Sequence, residues 1–501
     1  MSFSKPLKIR KLPSLKEEVR VNIKDLKKLL FNSESNESWS LNKSILGSYA
    51  YKILKELIKI RINYGILNNI RKTFAQIGIK NILNILLLQI HLLDEMSKIN
   101  RKFIKQGWKP PNLIYENKTP FYTIKEAQKE DGMTSYERFN TAIQLKEPDR
   151  IPITPLMDYY YAANNNMSAK EFVLAPFERV FNAVRNTYNR FNGVLDMVHV
   201  PMGRLYAFYN MLPLAQSGYY GELIYPDEVP SSLQFIEKGY IDVKDFNQIK
   251  KNGLKSIWKP VNLEKITDTQ ADIIKIGKFI NYWEKDKKVP VYASSGIITP
   301  LEGLCYLMGI KNWSKAIIKN KEEVKEICDL FLKGMMANNL MMYLFTQVKR
   351  TYVCLERVSS TFLSPKNFEE LVLPSLLTII KSNVRNGLTT VFHMDTDWTP
   401  FFHYFLEFPK NGKYILHLED SDIFKAKEML GDRFCLMGNI QTKLLRFGTE
   451  KQIEDYTRKL IEICGAGGGY LMAEGCEVAP DTPMRNMKVW IETTLKYGKY
   501  S

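Results

Sequence analysis

The sequence predicts an α/β chain: a (β/α)8 TIM barrel over residues 131–501, preceded by an N-terminal helical extension over residues 1–130. Three observations carry this. Short apolar runs alternate with helical stretches over about 370 residues, the pattern of parallel βα units. The number of such runs favours a closed barrel over an open sheet. No GxGxxG follows the first run, so the doubly wound alternative lacks its usual phosphate-binding turn.

Residues 1 to about 45 are polar and charged, and "FNSESNESWSLNKS" has the Ser/Asn density of a loop entering a helix. Residues 46 to about 107 carry apolar side chains at three- and four-residue spacing, as in "YKILKELIKIRINYGI", which is a helical stripe. "GWKPPNLIYENKTP" ends it, because proline has no N–H to give a helix, and places a linker near residues 107–132. From Met133 the texture changes. "MTSYERFNTAIQLKEPDR" reads as a capped helix, "IPITPL" as a strand, "AKEFVLAPFERVFNAVRNTYNRF" as a helix and "VLDMVHV" as a strand. "VPVYASS" is the next strand, followed by a helix from about Pro300 and a longer one through "KEEVKEICDLFLKGMMANNLMMYLF". "TYVCLE" is a strand, "PKNFEELVLPSLLTIIKSNVRN" a helix, and "TTVFHM", "KYILHLE", "CLMGNI" and "YLMAEGC" are the remaining strands before the helix "MRNMKVWIETTLKY". "GAGGGY", between a helix and the last strand, is read as a glycine turn, with phosphate cradling as the alternative.

Composition narrows the function classes. With 45% hydrophobic and 25% charged residues the chain is globular, and its net charge of +17 favours anionic partners. Much of the excess is lysine interspersed with Ile and Asn in the first hundred residues, which reads as solvated helix faces rather than a nucleic-acid footprint. Six scattered cysteines, with no CxxC and no signal peptide, point to a reducing cytoplasm. No apolar run reaches the roughly 18 residues of a membrane span. The nearest approach, "ILNILLLQIHLL", suits a helix packed on a neighbour, with a membrane-surface helix, which its basic flanks allow, as the alternative.

In a barrel, reactive side chains sit at the carboxyl ends of strands, so the informative residues follow each apolar run. They are Asp158, His199, Glu356, His393 with Asp395, Glu419, Asn439, and Glu474 with Cys476. Side chains alternate along a strand, so His393 and Asp395, two apart, point the same way. Cys476 ends the last strand on the same rim. Together these three offer zinc an imidazole, a carboxylate and a thiolate, and a catalytic zinc needs three protein ligands and one open position. The plainer alternative is a hydrogen-bonded strand end and a small buried thiol. Asp397 and His403 read as loop polar groups.

The barrel portion resembles the uroporphyrinogen decarboxylase superfamily, from "SYERFNTAIQLKEPDRIPI" through "LSPKNFEELVLPSLLTIIKSNVRNGLTTVFHM" to "GDRFCLMGNIQTKLLRFGTEKQIEDYTRKLIEICGAGGGYLMAEGCEVAPDTPMRNMKVWIE". The residues after Gly475 resemble its corrinoid-linked methyltransferases, the methylcobalamin:coenzyme M type, which bind zinc through a His-x-Cys pair and a later "GC" cysteine. His393 falls on the histidine and Cys476 on the second cysteine, while Asp395 stands where the first cysteine would be. A carboxylate there leaves zinc a harder Lewis acid, suited to ether or alcohol oxygen as well as to thiols.

The resemblance implies a zinc-dependent methyltransferase that moves a methyl group between cobalamin, carried by a partner corrinoid protein, and a small thiol or methyl ether. The chain has no Asp-x-His-x-x-Gly segment with which to hold cobalt itself. Glu419 and Glu474 are candidate catalytic residues, as a further ligand, a proton shuttle or an orienting group, with a rim carboxylate paired with Lys or Arg as the plainer alternative. Two alternatives stand beside this reading. One is a decarboxylase, although "RIPITPLMDYYYAANN" offers Arg150 without the arginine cluster that several substrate carboxylates demand. The other is a metal-free binding or assembly subunit.

Overall fold

The computed structural model describes residues 132–201, 222–224, 226–236, 238–252, 272–293, 295–346 and 348–500. The expected helical extension over 1–130 lies outside the described residues. Among them, a small antiparallel hairpin pairs β1 (Glu222–Ile224) with β2 (Gln234–Ile236). Six strands then run parallel in chain order: β3 (Ser295–Ile298), β4 (Arg350–Cys354), β5 (Thr389–Met394), β6 (Lys413–Leu418), β7 (Cys435–Ile440) and β8 (Tyr470–Glu474). Every residue of β4, β5, β7 and β8 is buried, as expected for strands covered on both faces.

Two further segments close the ring. Ile153 bridges Met472 of β8 in parallel, with the Thr154 amide donating to the Met472 carbonyl at 2.8 Å and the Met472 amide to the Pro152 carbonyl at 2.9 Å. The Asp196 amide donates to the Ile153 carbonyl at 2.7 Å, and Val198 bridges Val291 on its other side. Eight segments therefore complete the (β/α)8 barrel. "IPITPL" makes isolated bridges rather than a regular strand because Pro152 and Pro155 have no N–H for the ladder. In "VPVYASS", Val291 pairs back to Val198, whereas regular pairing with β4 begins only at Ser295.

The helices follow local chemistry. Thr134 and Glu137 form a capping box that starts the helix Ser135–Ala142. Two runs expected to be single helices are each split: Ala169–Leu174 from Phe177–Arg190 at Pro176, and Pro365–Leu371 from Leu373–Arg385 near Pro374. In both, a missing proline N–H breaks the ladder. "GAGGGY" is a turn: Gly467, Gly468 and Gly469 have φ of 72°, 80° and 69°, and a Cβ on Gly468 would lie 2.4 Å from the Lys146 backbone. It precedes the amino end of β8, so the phosphate-cradle alternative would lie at the opposite end of that strand from Glu474 and Cys476.

Where the first two barrel segments meet, Asp196 is fully buried between two arginines. Its carboxylate pairs with Arg138 Nη1 and Arg150 Nη1, each at 2.6 Å, and accepts the Ile153 amide at 2.9 Å. Arg138 also holds Asp149 at 2.6 Å. No helix among the described residues is long and apolar enough to cross a membrane.

Candidate metal centre at the strand carboxyl ends

His393 is the penultimate residue of β5, Asp395 follows the strand, and Cys476 lies two residues beyond β8. One donor atom from each of the three lies within 4.8 Å of the others. His393 Nε2 is 3.2 Å from Asp395 Oδ1 and 3.6 Å from Cys476 Sγ. Glu419 and Glu474 flank this group rather than join it. Glu419, one residue past β6, accepts the Thr396 amide at 3.3 Å, and Glu474, the last residue of β8, accepts the Leu156 amide at 2.5 Å.

Behind His393 stands a second histidine that the strand-end rule did not select. β5 and β6 pair in register, with His393 beside His417 and their Nδ1 atoms 3.1 Å apart. His417 Nε2 lies 2.8 Å from the Glu474 carbonyl. A carbonyl can only accept, so Nε2 carries the His417 proton and its Nδ1 accepts; His393 Nδ1 is then the donor. The Nε2 of His393 is left to face Asp395 and Cys476. The Tyr292 hydroxyl lies against both Nδ1 atoms, at 3.5 Å from His393 and 3.2 Å from His417. Burial, then the His393 charge, pushes His417 down to about 3, so it stays neutral, as this assignment requires.

The electrostatics are those of a cation site. Burial opposes charge on His393, but Asp395 overcomes it and holds the imidazole up to about 9. Burial likewise opposes charge on Asp395, and His393 wins, lowering its carboxyl below the usual range. Burial, then Asp395, pushes the Cys476 thiol well above its ordinary value. The buried Asp395 Oδ1 accepts no aligned hydrogen bond, although His393 is close. A divalent cation among these atoms would take the place of the His393 Nε2 proton, complete the carboxylate and draw off the thiol proton. Imidazole, carboxylate and thiolate form a donor set that zinc accepts.

The other strand-end candidates have different surroundings. Asn439 lies in β7 and ties down the end of β6, donating to the Glu419 and Ser421 carbonyls at 3.2 and 3.1 Å while accepting from Tyr456. His199 is buried, with its ring 5.7 Å from Tyr292. Asp158 is fully buried just before the helix Tyr159–Ala163. Glu356, two residues past β4, belongs to a second convergence with Glu302 and Cys354, within 4.8 Å of one another. Glu302 accepts the Glu356 and Arg357 amides at 2.6 and 2.8 Å, and Tyr306 donates to Glu356. Sequence reasoning missed Glu302 and Tyr292, which carry no strand-end signature of the kind used. His417 did carry one, standing two residues before Glu419 and so on the same strand face.

The uroporphyrinogen decarboxylase (URO-D) family model matches residues 223–497. Uroporphyrinogen decarboxylases from Chlorobium phaeovibrioides and Pseudoalteromonas atlantica are 35% identical over 74 residues and 31% identical over 77. These matches cover 14% and 15% of this chain and 21% of each relative, so the chain spans about a fifth of the length of the curated relatives it matches. A methyltransferase from Methanosarcina mazei superposes with a TM-score of 0.55 at 18% identity, over 73% of this chain and 99% of that one, a likeness of fold.

Proposed function

Because the chain belongs to the uroporphyrinogen decarboxylase family, we propose that it is a zinc-dependent methyltransferase moving a methyl group between the corrinoid of a separate protein and a small thiol or methyl ether. The observation that carries this reading is the convergence of His393 Nε2, Asp395 Oδ1 and Cys476 Sγ. The likeness of fold to a methyltransferase points the same way.

His393, Asp395 and Cys476 would hold the metal. Zinc supplies a Lewis acid that lowers the pKa of a thiol or polarises an ether oxygen. His417 and Tyr292 keep the His393 ring in one orientation, with its Nε2 toward the site. Burial, then Asp395, raises the Glu419 carboxyl to about 7, where it can take or return the proton of a substrate heteroatom. The Glu474 carbonyl orients His417, and its side chain braces Leu156. The partner is a corrinoid protein, and the expected setting is a reducing cytoplasm. The decarboxylase alternative draws less support, because Arg150 is paired with buried Asp196 and so is not presented to substrate carboxylates.

The test is zinc content by elemental analysis, alongside methyl transfer to or from free cobalamin with thiol and methyl ether substrates. Cys476→Ala removes one of three donors and should lose most bound zinc. Asp395→Asn should lose less, and Asp395→Cys should keep the metal while shifting activity from oxygen towards sulfur substrates. If wild type and Cys476→Ala, resupplied with metal, hold equal and negligible zinc, the site is not metallic and the metal-free binding reading takes its place.

A further inference from the structure

A second group of metal-ligand side chains stands beside the first. Glu302, in the first turn of the helix Pro300–Met308, meets Cys354, the last residue of β4, and Glu356, two residues further on. One donor atom from each lies within 4.8 Å of the others. β4 and β5 pair in register with Cys354 beside His393, and the Leu355 amide donates to the His393 carbonyl at 2.9 Å. The Tyr352 ring, two residues before Cys354 and so on the same strand face, lies 5.6 Å from the His393 ring. Both groups therefore line the carboxyl-end rim on adjacent strands.

The geometry within this group calls for a cation. Cys354 Sγ lies 3.1 Å from Glu356 Oε1 and 3.8 Å from Glu302 Oε1, so its single S–H faces two carboxyl oxygens and can serve only one. Glu302 Oε1 accepts the Glu356 and Arg357 amides, which pins the carboxyl against the end of β4. Its other oxygen, Oε2, is an independent sign: Glu302 is 0% exposed, and this atom has no hydrogen-bond partner. Ionised, it is an unmet acceptor; protonated, it is an O–H with nothing to donate to, and either state is costly in the interior. A metal ion meets both needs, taking the place of the thiol proton and giving the buried carboxyl a partner. Half-buried Glu356 is the side that opens to solvent, whereas Cys354 is buried.

We propose that Glu302, Cys354 and Glu356 form a second divalent-cation site, distinct from His393, Asp395 and Cys476, that takes zinc or a close analogue through two carboxylates and a thiolate. It is the weaker of the two centres. It has no imidazole, and its carboxyl oxygens also serve the Glu356 and Arg357 amides and the Tyr306 hydroxyl. Its ion therefore exchanges, and is seen by titration with free metal rather than as zinc retained through desalting. The site does not depend on the methyl-transfer reading.

The test is titration of the chelator-treated full chain with cobalt(II), read at the near-ultraviolet thiolate-to-cobalt charge-transfer band. Cys476→Ala, which lacks the thiolate of the first centre, should still develop the band with about one equivalent of cobalt. Cys354→Ala in that background should abolish it. Glu302→Gln there keeps an acceptor for both amides but brings no charge, and should weaken cobalt binding at least about tenfold with an unchanged circular dichroism spectrum. Zinc(II) should bleach the band as it displaces cobalt. No band in Cys476→Ala, a band that survives Cys354→Ala in that background, or one untouched by Glu302→Gln overturns the proposal. The two centres fail separately. A wild-type band lost wholly with Cys476→Ala leaves only the first, and one lost wholly with Cys354→Ala leaves only the second.

Discussion

At the scale of single residues, the metal donors depend on neighbours that touch no metal. Thr396 follows Asp395 with φ of 63°, a left-handed conformation that costs a β-branched residue on the order of 1–3 kcal/mol. It is held there by the Ser359 hydroxyl at 2.6 Å and by its amide on Glu419. The strain sits beside Asp395 and sets where that carboxylate leaves the strand. His417 has the larger role, since its accepting Nδ1 determines which nitrogen of His393 stays open. His417→Ala should therefore lower zinc affinity about 10- to 100-fold, read by competition with a chromophoric chelator. His417→Gln, which can still donate to the Glu474 carbonyl and accept from His393, should recover part of the loss. Equal affinity in wild type and His417→Ala would remove the histidine from the site. The His393 and Asp395 pair was readable from strand alternation alone. The part played by His417 was not, because it needs the register of two strands as well as the alternation of one.

At the scale of elements, proline explains where the expected helices divide and why the first barrel segment makes bridges instead of a ladder. These breaks were readable residue by residue, yet a long apolar period masks a single missing N–H. The link between the helix Pro300–Met308 and the end of β4 was not readable, because Glu302 lies more than 50 positions from the amides it accepts. Burial, then the charge of Glu356, pushes Glu302 up to about 8. Its folded form keeps a proton that the unfolded chain releases above its ordinary value of 4.5. Folded protein thus binds more protons between those two values, and this group's contribution to stability falls as pH rises through that window. In Glu302→Gln an amide takes the place of the protonated acid and still accepts from both backbone amides. Relative to wild type, its stability should rise by on the order of 1–3 kcal/mol between pH 5 and pH 8, followed by urea denaturation. A parallel pH dependence for the two proteins would show that Glu302 titrates normally.

At the scale of the whole molecule, the ring is closed by the two irregular segments and by the buried ion network at Asp196. Asp196→Asn keeps the volume but removes the buried carboxylate that Arg138 and Arg150 share, while Arg138 keeps Asp149, so it should cost about 3–5 kcal/mol. The denaturant midpoint should fall with an unchanged slope, and a loss below about 0.5 kcal/mol would place the closing energy elsewhere. The sequence by itself determined the barrel class, the run of strand ends and the chemical types at them, because alternation, capping and proline breaks are properties of chain neighbours. The tertiary structure alone decided that His393 and Cys476, 83 positions apart, come within 3.6 Å, and that His417 backs His393. The first contact needs the sheet to curl until the end of β8 stands by the end of β5, and the second needs the register of β5 on β6. Ring closure is set by long-range pairing, which no local stretch of residues encodes.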